Sequence, residues 1–206
     1  MEPTPTDLAA MSLRTLFAEA ASAETAAAGG CVSAVSGYLG VSVLLKCVRI
    51  SARKRPQETS YAESEERLLK FADQLLACAQ ADADSFAGYK SAIGLPKSTP
   101  EEALDRKQEI RHAVATMTTA ALDILDAGNR ILEFAHRMRD SLTAPVLADA
   151  LGGVELISAM NATAQWNAKA NLGALSGEES LQHRFAEART RHDALLAECR
   201  SPGSRK

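Results

Sequence analysis

The residue best suited to acid–base chemistry is Asp149. Its neighbours Val146, Leu147, Ala150 and Leu151 are all apolar. A carboxylate in apolar surroundings has a raised pKa and exchanges protons near neutrality. Pro145 predicts a helix start just before it, so Asp149 is expected partly buried in the first turns of that helix. There the helix N-terminus favours the charged form and burial opposes it. The plainer reading is a capping role. Asp82 and Asp84 fall late in another predicted helix, before Phe86. Each of them alone reads as a solvated side chain or a cap. Asn161, Asn167 and Asn171 form a partial polar stripe on an alanine-rich helix, either solvated or lining a polar pocket.

Arg49, Arg53, Lys54 and Arg55 form a basic cluster ahead of Pro56. Positive charge there complements a helix C-terminus, or docks a polyanionic ligand tail. The histidines, His112, His136, His183 and His192, show no metal-ligand spacing, so they are expected at the surface and no metal site is expected. P-loop, GxGxxG, HExxH and GxSxG patterns are absent. Cys31, Cys47, Cys78 and Cys199 are scattered without a CxxC pair, which suits reduced thiols in a cytoplasmic protein. A net charge of −3 gives no reason to expect a nucleic-acid or membrane partner. The acidic N-terminus does not read as a signal peptide. The apolar stretch from Cys31 to Leu45 ends at Lys46, and its length suggests a buried core helix rather than a membrane span.

The elements that must position these residues are helical. Apolar residues make up 46% of the 206-residue chain but aromatics only 4%, so alanine and leucine carry the core. One domain of about six long helices is expected, with its ordered core over roughly residues 7–199. Residues 1–6 and 201–206 read as tails. A first amphipathic helix ends near Ala21, with Leu13, Leu16 and Phe17 on its apolar face. After the Gly29-Gly30 break, a second runs from about Cys31 to Ser51. Its Ser33, Ser36, Gly37 and Gly40 allow close helix approach, in a core or a dimer interface. The third spans about Ser60–Ala92 on a repeat of Leu68, Ala72, Leu75, Ala79, Ala83 and Phe86. Thr99-Pro100-Glu101-Glu102 starts the fourth. It carries a heptad-like seam from Ile110 to Met138, implying a long antiparallel partner for the third. Thr143-Ala144-Pro145 interrupts the chain before a fifth helix to about Leu175, and a sixth runs from about Glu178 to Cys199. Helices this long suit a helical layer that buries a face in a homodimer.

The order of these features resembles the cyclodeaminase domain of formiminotransferase-cyclodeaminase and its free-standing relatives, the methenyltetrahydrofolate cyclohydrolases. The resemblance runs from about Ser12 to Leu175. It rests on the glycine turn, the small-residue helix, Asp82-Ala83-Asp84-Ser85-Phe86, Leu95-Pro96-Lys97-Ser98-Thr99-Pro100-Glu101-Glu102, and Asp149 ahead of Asn167 and Asn171. It implies an all-α dimer acting on a tetrahydrofolate derivative, with no metal and no tightly bound cofactor. It also implies a folate site near the glycine turn and the loop before the fifth helix. Asp149 would be catalytic, and Gly29, Gly30, Asp82, Asn167, Asn171, Arg49, Arg53, Lys54 and Arg55 would bind substrate. Two segments depart from the family pattern: Thr25-Ala26-Ala27-Ala28-Gly29-Gly30 replaces Pro-Thr-Pro-Gly-Gly-Gly, and Leu142 to Ala148 lacks the usual asparagines and serine. These departures leave two alternatives. One is an enzyme repurposed for C–N chemistry on another small amine. The other is a non-catalytic dimer that binds folate or a partner.

Overall fold

A computed structural model describes residues 8–23, 29–175 and 177–201. Residues 1–6 and 202–206 of the expected tails, and the part of the glycine turn before Gly29, lie outside the described residues. Six α-helices account for nearly all of the described chain: α1 (Leu13–Ala21), α2 (Gly29–Lys54), α3 (Ser60–Ile93), α4 (Pro100–Met138), α5 (Leu147–Ala174) and α6 (Glu179–Arg200). Each lies within two or three residues of its sequence-based expectation. The α4 start is fixed by a full capping box: Thr99 Oγ1 accepts from the Glu102 N–H, and the Glu102 carboxylate accepts from the Thr99 N–H. Ser12 caps α1 in the same way through the Thr15 N–H.

The helical layer closes on itself. α2 packs against α3 and α5, and α4 packs against α3, α5 and α6. Short connections make successive helices antiparallel, so α2 to α5 form an up-down-up-down ring, with α6 against α4 and α5. Leu44, Leu68, Leu75, Leu125, Ile131 and Ile157 are among the side chains that fill its centre.

Glycine sets the α2–α5 distance. A β-carbon at Gly40 would lie 2.7 Å from the Gly153 carbonyl oxygen, and one at Gly153 would lie 2.9 Å from that of Gly40. The small residues of α2 are thus used inside the protomer, where two backbones touch. Leu75 and Met160 close over Gly37.

Three expectations need correction. α2 is not a fully buried core helix: it is long and apolar enough to cross a membrane, and half of its most apolar window is buried. α1 buries none of its residues, and Leu13 and Phe17 are 75% and 76% exposed. His192 is not at the surface. It is 4% exposed, and its Nδ1 sits 3.1 Å from Asn161 Nδ2.

Candidate functional site

The chemistry-bearing residues fall into two groups, one at each end of α2. At the N-terminal end, the Asp82 carboxylate from α3 is buried against the first turn. A β-carbon at Gly30 would lie 2.3 Å from Asp82 Oδ1, so only glycine admits the carboxylate at this distance. The Cys31 N–H donates to that carboxylate. The first backbone N–H groups of a helix have no partner within it, and Asp82 satisfies one of them. Burial raises the Asp82 pKa above the ordinary carboxylate value, and the Cys31 hydrogen bond partly offsets the rise. Burial, and next the Asp82 charge, push the neighbouring Cys31 thiol up to about 11. That thiol therefore stays protonated and is no nucleophile at neutral pH.

Two helices, α3 and α5, run on past the start of α2 and flank its N-terminal end. On α3, Phe86 and Tyr89 follow Asp82 at four and seven residues, so all three lie on one face. Both rings are half-buried, and their centroids are 6.3 Å apart. On α5, Thr163 is the neighbour of Gly29, with its methyl group 4.0 Å from where a β-carbon would stand. Beyond it, Asn167 and Asn171 continue on the face that Gly153 and Met160 turn toward α2. Both amides are half-buried. Gly29, Gly30 and Asp82 are thus brought together at the α2 N-terminus, while Asn167 and Asn171 lie farther along α5 on the same side, Asn171 about 12 Å beyond Thr163.

Asp149 and the basic cluster lie at the other end. Asp149 is in the first turn of α5 and its charge acts on Cys47. It is exposed, which corrects the expectation of a partly buried carboxylate: Val146 and Ala150 are buried in the bundle, but Asp149 and Leu151 face outward. At 1.5 Å per residue, Cys47 is about 25 Å along α2 from Gly30, and Arg53 about 35 Å. Two of the four basic side chains have local work. Arg49 donates to Glu65 Oε1 at 2.9 and 2.7 Å. Arg55 donates to the Ser141 carbonyl at 3.3 Å and lies 3.9 Å from Glu58. With Tyr61, whose hydroxyl donates to the same carbonyl at 2.5 Å, Arg55 pins the chain between α4 and α5. Arg53 and Lys54 are exposed. Within one protomer, this cluster cannot reach a ligand seated at Gly30.

A third polar set went unforeseen. Asn161 Nδ2 lies 3.1 Å from Asn129 Oδ1, and Asn129 Nδ2 donates to the Ala188 carbonyl at 2.8 Å. Asn129, Asn161 and His192 so tie α4, α5 and α6 together in the interior, and burial lowers the His192 pKa. Asn161 therefore belongs to the core and not to the α2 N-terminal end. The signal was present in sequence: Asn129 follows Gly128 in the α4 seam, and that glycine leaves room for the Asn161 amide.

Comparison with known proteins agrees with this architecture. The family profile described as formiminotransferase-cyclodeaminase matches residues 12–190. The chain is 27% identical over 188 residues to a methenyltetrahydrofolate cyclohydrolase of Methylorubrum extorquens, covering 87% of this chain and 85% of that one. In fold it is similar to formiminotetrahydrofolate cyclodeaminase from Thermotoga maritima. The TM-score is 0.81 at 16% identity, over 93% of this chain and 94% of that chain. With the profile spanning helices α1 to α6, the chain belongs to the formiminotransferase-cyclodeaminase family.

Proposed function

We propose that the protein is a folate-dependent one-carbon enzyme of the cyclodeaminase or cyclohydrolase type, and that its substrate ring binds at the α2 N-terminal end, beside Asp82. The buried Asp82 carboxylate, held against Gly30 at the start of a helix, carries this reading. Both reactions pass through a tetrahedral carbon bonded to nitrogen. In one, N10 of the folate attacks a formimino carbon on N5 and ammonia leaves. In the other, water adds to the methenyl carbon between N5 and N10, and one C–N bond opens. Each needs a proton taken from the attacking group and returned to the departing nitrogen.

Asp82 suits that exchange. Burial disfavours its charge and raises its pKa, while the Cys31 N–H partly offsets the rise. The amides of Asn167 and Asn171 offer donors and acceptors to a pterin edge, and Phe86 and Tyr89 offer a face for ring contact. The four free cysteines fit a reducing, cytoplasmic setting.

The test is loss of methenyltetrahydrofolate absorbance with the purified protein. We expect enzyme-dependent loss. Tight folate binding without any turnover, of either the methenyl or the formimino substrate, would make the protein a non-catalytic binder.

A further inference from the structure

We propose that α6 is a proton-released latch: when His192 takes up a proton, this helix lifts from α4 and α5 while the α2–α5 ring stays folded. The inference is independent of the folate reaction.

The latch is a chain of hydrogen bonds that runs in one direction only. Asn129 Nδ2 donates to the Ala188 carbonyl at 2.8 Å. Asn161 Nδ2 lies 3.1 Å from Asn129 Oδ1 and 3.1 Å from His192 Nδ1. An amide nitrogen can only donate. His192 Nδ1 must therefore accept, which fixes a neutral ring with its proton on Nε2. Asn129, Asn161 and His192 are 1%, 0% and 4% exposed, so bulk water does not replace a lost partner.

Protonation puts a hydrogen on Nδ1, and two donors then point at each other. The amides cannot turn to accept it. Rotating Asn161 would set its oxygen against Asn129 Oδ1. Rotating Asn129 as well would set that oxygen against the Ala188 carbonyl. Asn161 Oδ1 already stands where a Gly128 β-carbon would be, 1.8 Å from that position, with no hydrogen-bond partner among the described residues. A buried polar group left unmet costs more than its hydrogen bond contributes, and protonation adds a second one to this network.

The charged groups around the ring do not relieve it. On α6, Asp193 favours the proton but is exposed, and Arg200 opposes it. On α4, Asp123 and Asp126 hold Arg184, and Glu133 holds Arg137 and Arg191. His136 of α4 is exposed and offers no negative charge. On α5, Glu155 holds Arg200, and Lys169 lies over the Trp166 ring. Burial thus keeps the His192 pKa below its ordinary 6.5.

The helix that carries this group is also one that can leave. Only Ala188, His192, Leu195 and Cys199 of its 22 residues are buried. Leu181 and Phe185 rest half-buried on Ala121, Leu122 and Ala168. Its arginine pairs are exposed or half-exposed, and such pairs add little in water. The ring has its own closure, Gly40 against Gly153 with Leu44, Leu75 and Met160 nearby, in which no α6 residue takes part. Segments with few buried apolar contacts open locally before the whole molecule unfolds. Release of α6 uncovers Ala121, Leu122 and Ala168, an apolar patch that is closed at neutral pH.

Thiol labelling tests the latch. Cys199 reports on α6: its thiol donates to the Leu132 carbonyl at 3.3 Å and the residue is 2% exposed. Cys31 and Cys47, both 0% exposed on α2, report on the ring. Dithiodipyridine labelling is mapped by peptide mass spectrometry and referred to the same chain unfolded in guanidinium, which cancels thiol ionisation. In wild type, Cys199 labelling should rise roughly tenfold or more between pH 7.5 and 5.5, with Cys31 and Cys47 still protected. In His192→Gln it should change little.

Cys199 protected at both pH values in wild type would overturn the proposal. An equal rise in His192→Gln would do the same, because other groups would then drive the opening. Labelling of all three thiols together at pH 5.5 would mean that the whole bundle opens, which also overturns it. Should His192→Gln already be open at pH 7.5, the wild-type chain decides alone. The His192 ring resonances, followed by NMR, must titrate with the same midpoint as Cys199 labelling; different midpoints would refute the latch.

Discussion

Asp82 and Gly30 are in contact so close that a β-carbon on Gly30 would stand 2.3 Å from one carboxylate oxygen of Asp82 and 2.5 Å from the other. The whole carboxylate, not one flexible tip, occupies the place of the missing side chain. Gly30→Ala must therefore displace Asp82 from the Cys31 N–H. The expected result is a loss of about 1–3 kcal/mol of stability, with turnover lost alongside. Thermal denaturation and activity on the same preparation check it; an alanine variant with normal turnover would mean that Asp82 need not sit there.

Asp82→Asn separates function from stability. A buried acid whose pKa is raised on folding binds more protons in the folded state, so stability falls as pH rises from 3.8. The asparagine removes that cost and still accepts from Cys31. The variant is expected to melt at a higher temperature than wild type at pH 7. Melting below wild type would show that the carboxylate is a structural anchor.

His192 acts in the opposite sense. Its pKa is lowered, first by burial, with Arg200 lowering it further and Asp193 opposing. The unfolded chain then binds the extra proton, so stability falls as pH drops below 6.5. The other ionisable groups are common to both chains, so wild type is compared with His192→Gln. The difference between their melting temperatures should change between pH 7.5 and 5.5, with wild type losing more. Parallel curves would show that the Asn129–Asn161–His192 network accepts the charge.

The glycines of α2 and α3 should rank in order of what stands beside them. Gly40→Ala meets the Gly153 carbonyl, which is backbone and cannot yield, and is expected to cost about 2–3 kcal/mol. Gly37→Ala meets the Met160 sulfur, the end of a flexible side chain, and should cost less. Gly37→Leu exceeds what Met160 can vacate and should disrupt the core. Gly88→Ala has nothing within 4 Å and lies inside α3, so it should stabilise by about 0.5–1 kcal/mol. Denaturant melts of the series check the order.

Helix positions were legible because their signals are local. Thr99-Pro100-Glu101-Glu102 announces a start, and the repeat through Ile124 and Ile131 announces a buried side. What a helix buries its other faces against is not local. The small residues of α2 were readable as a dimer contact or a core contact, and the Gly40–Gly153 approach decides for the core. Asp149 stood out from its apolar neighbours but is exposed, because only Val146 and Ala150 of those neighbours are buried and Asp149 shares the outward side with Leu151. Asp82 looked ordinary because the feature that distinguishes it, a glycine fifty-two positions earlier, is a tertiary contact. His192 and Asn129 were missed for the same reason.

The central claim is that Asp82 transfers the proton during C–N bond making or breaking on a reduced folate bound above the α2 N-terminus. Steady-state turnover of methenyltetrahydrofolate and formiminotetrahydrofolate by wild type and Asp82→Asn, alongside folate affinity for each, tests it most directly. The account predicts that wild type turns over at least one of the two. It further predicts that Asp82→Asn loses turnover by ~10² to 10⁴ while binding folate within a few-fold of wild type. Wild-type turnover that survives Asp82→Asn unchanged would contradict it.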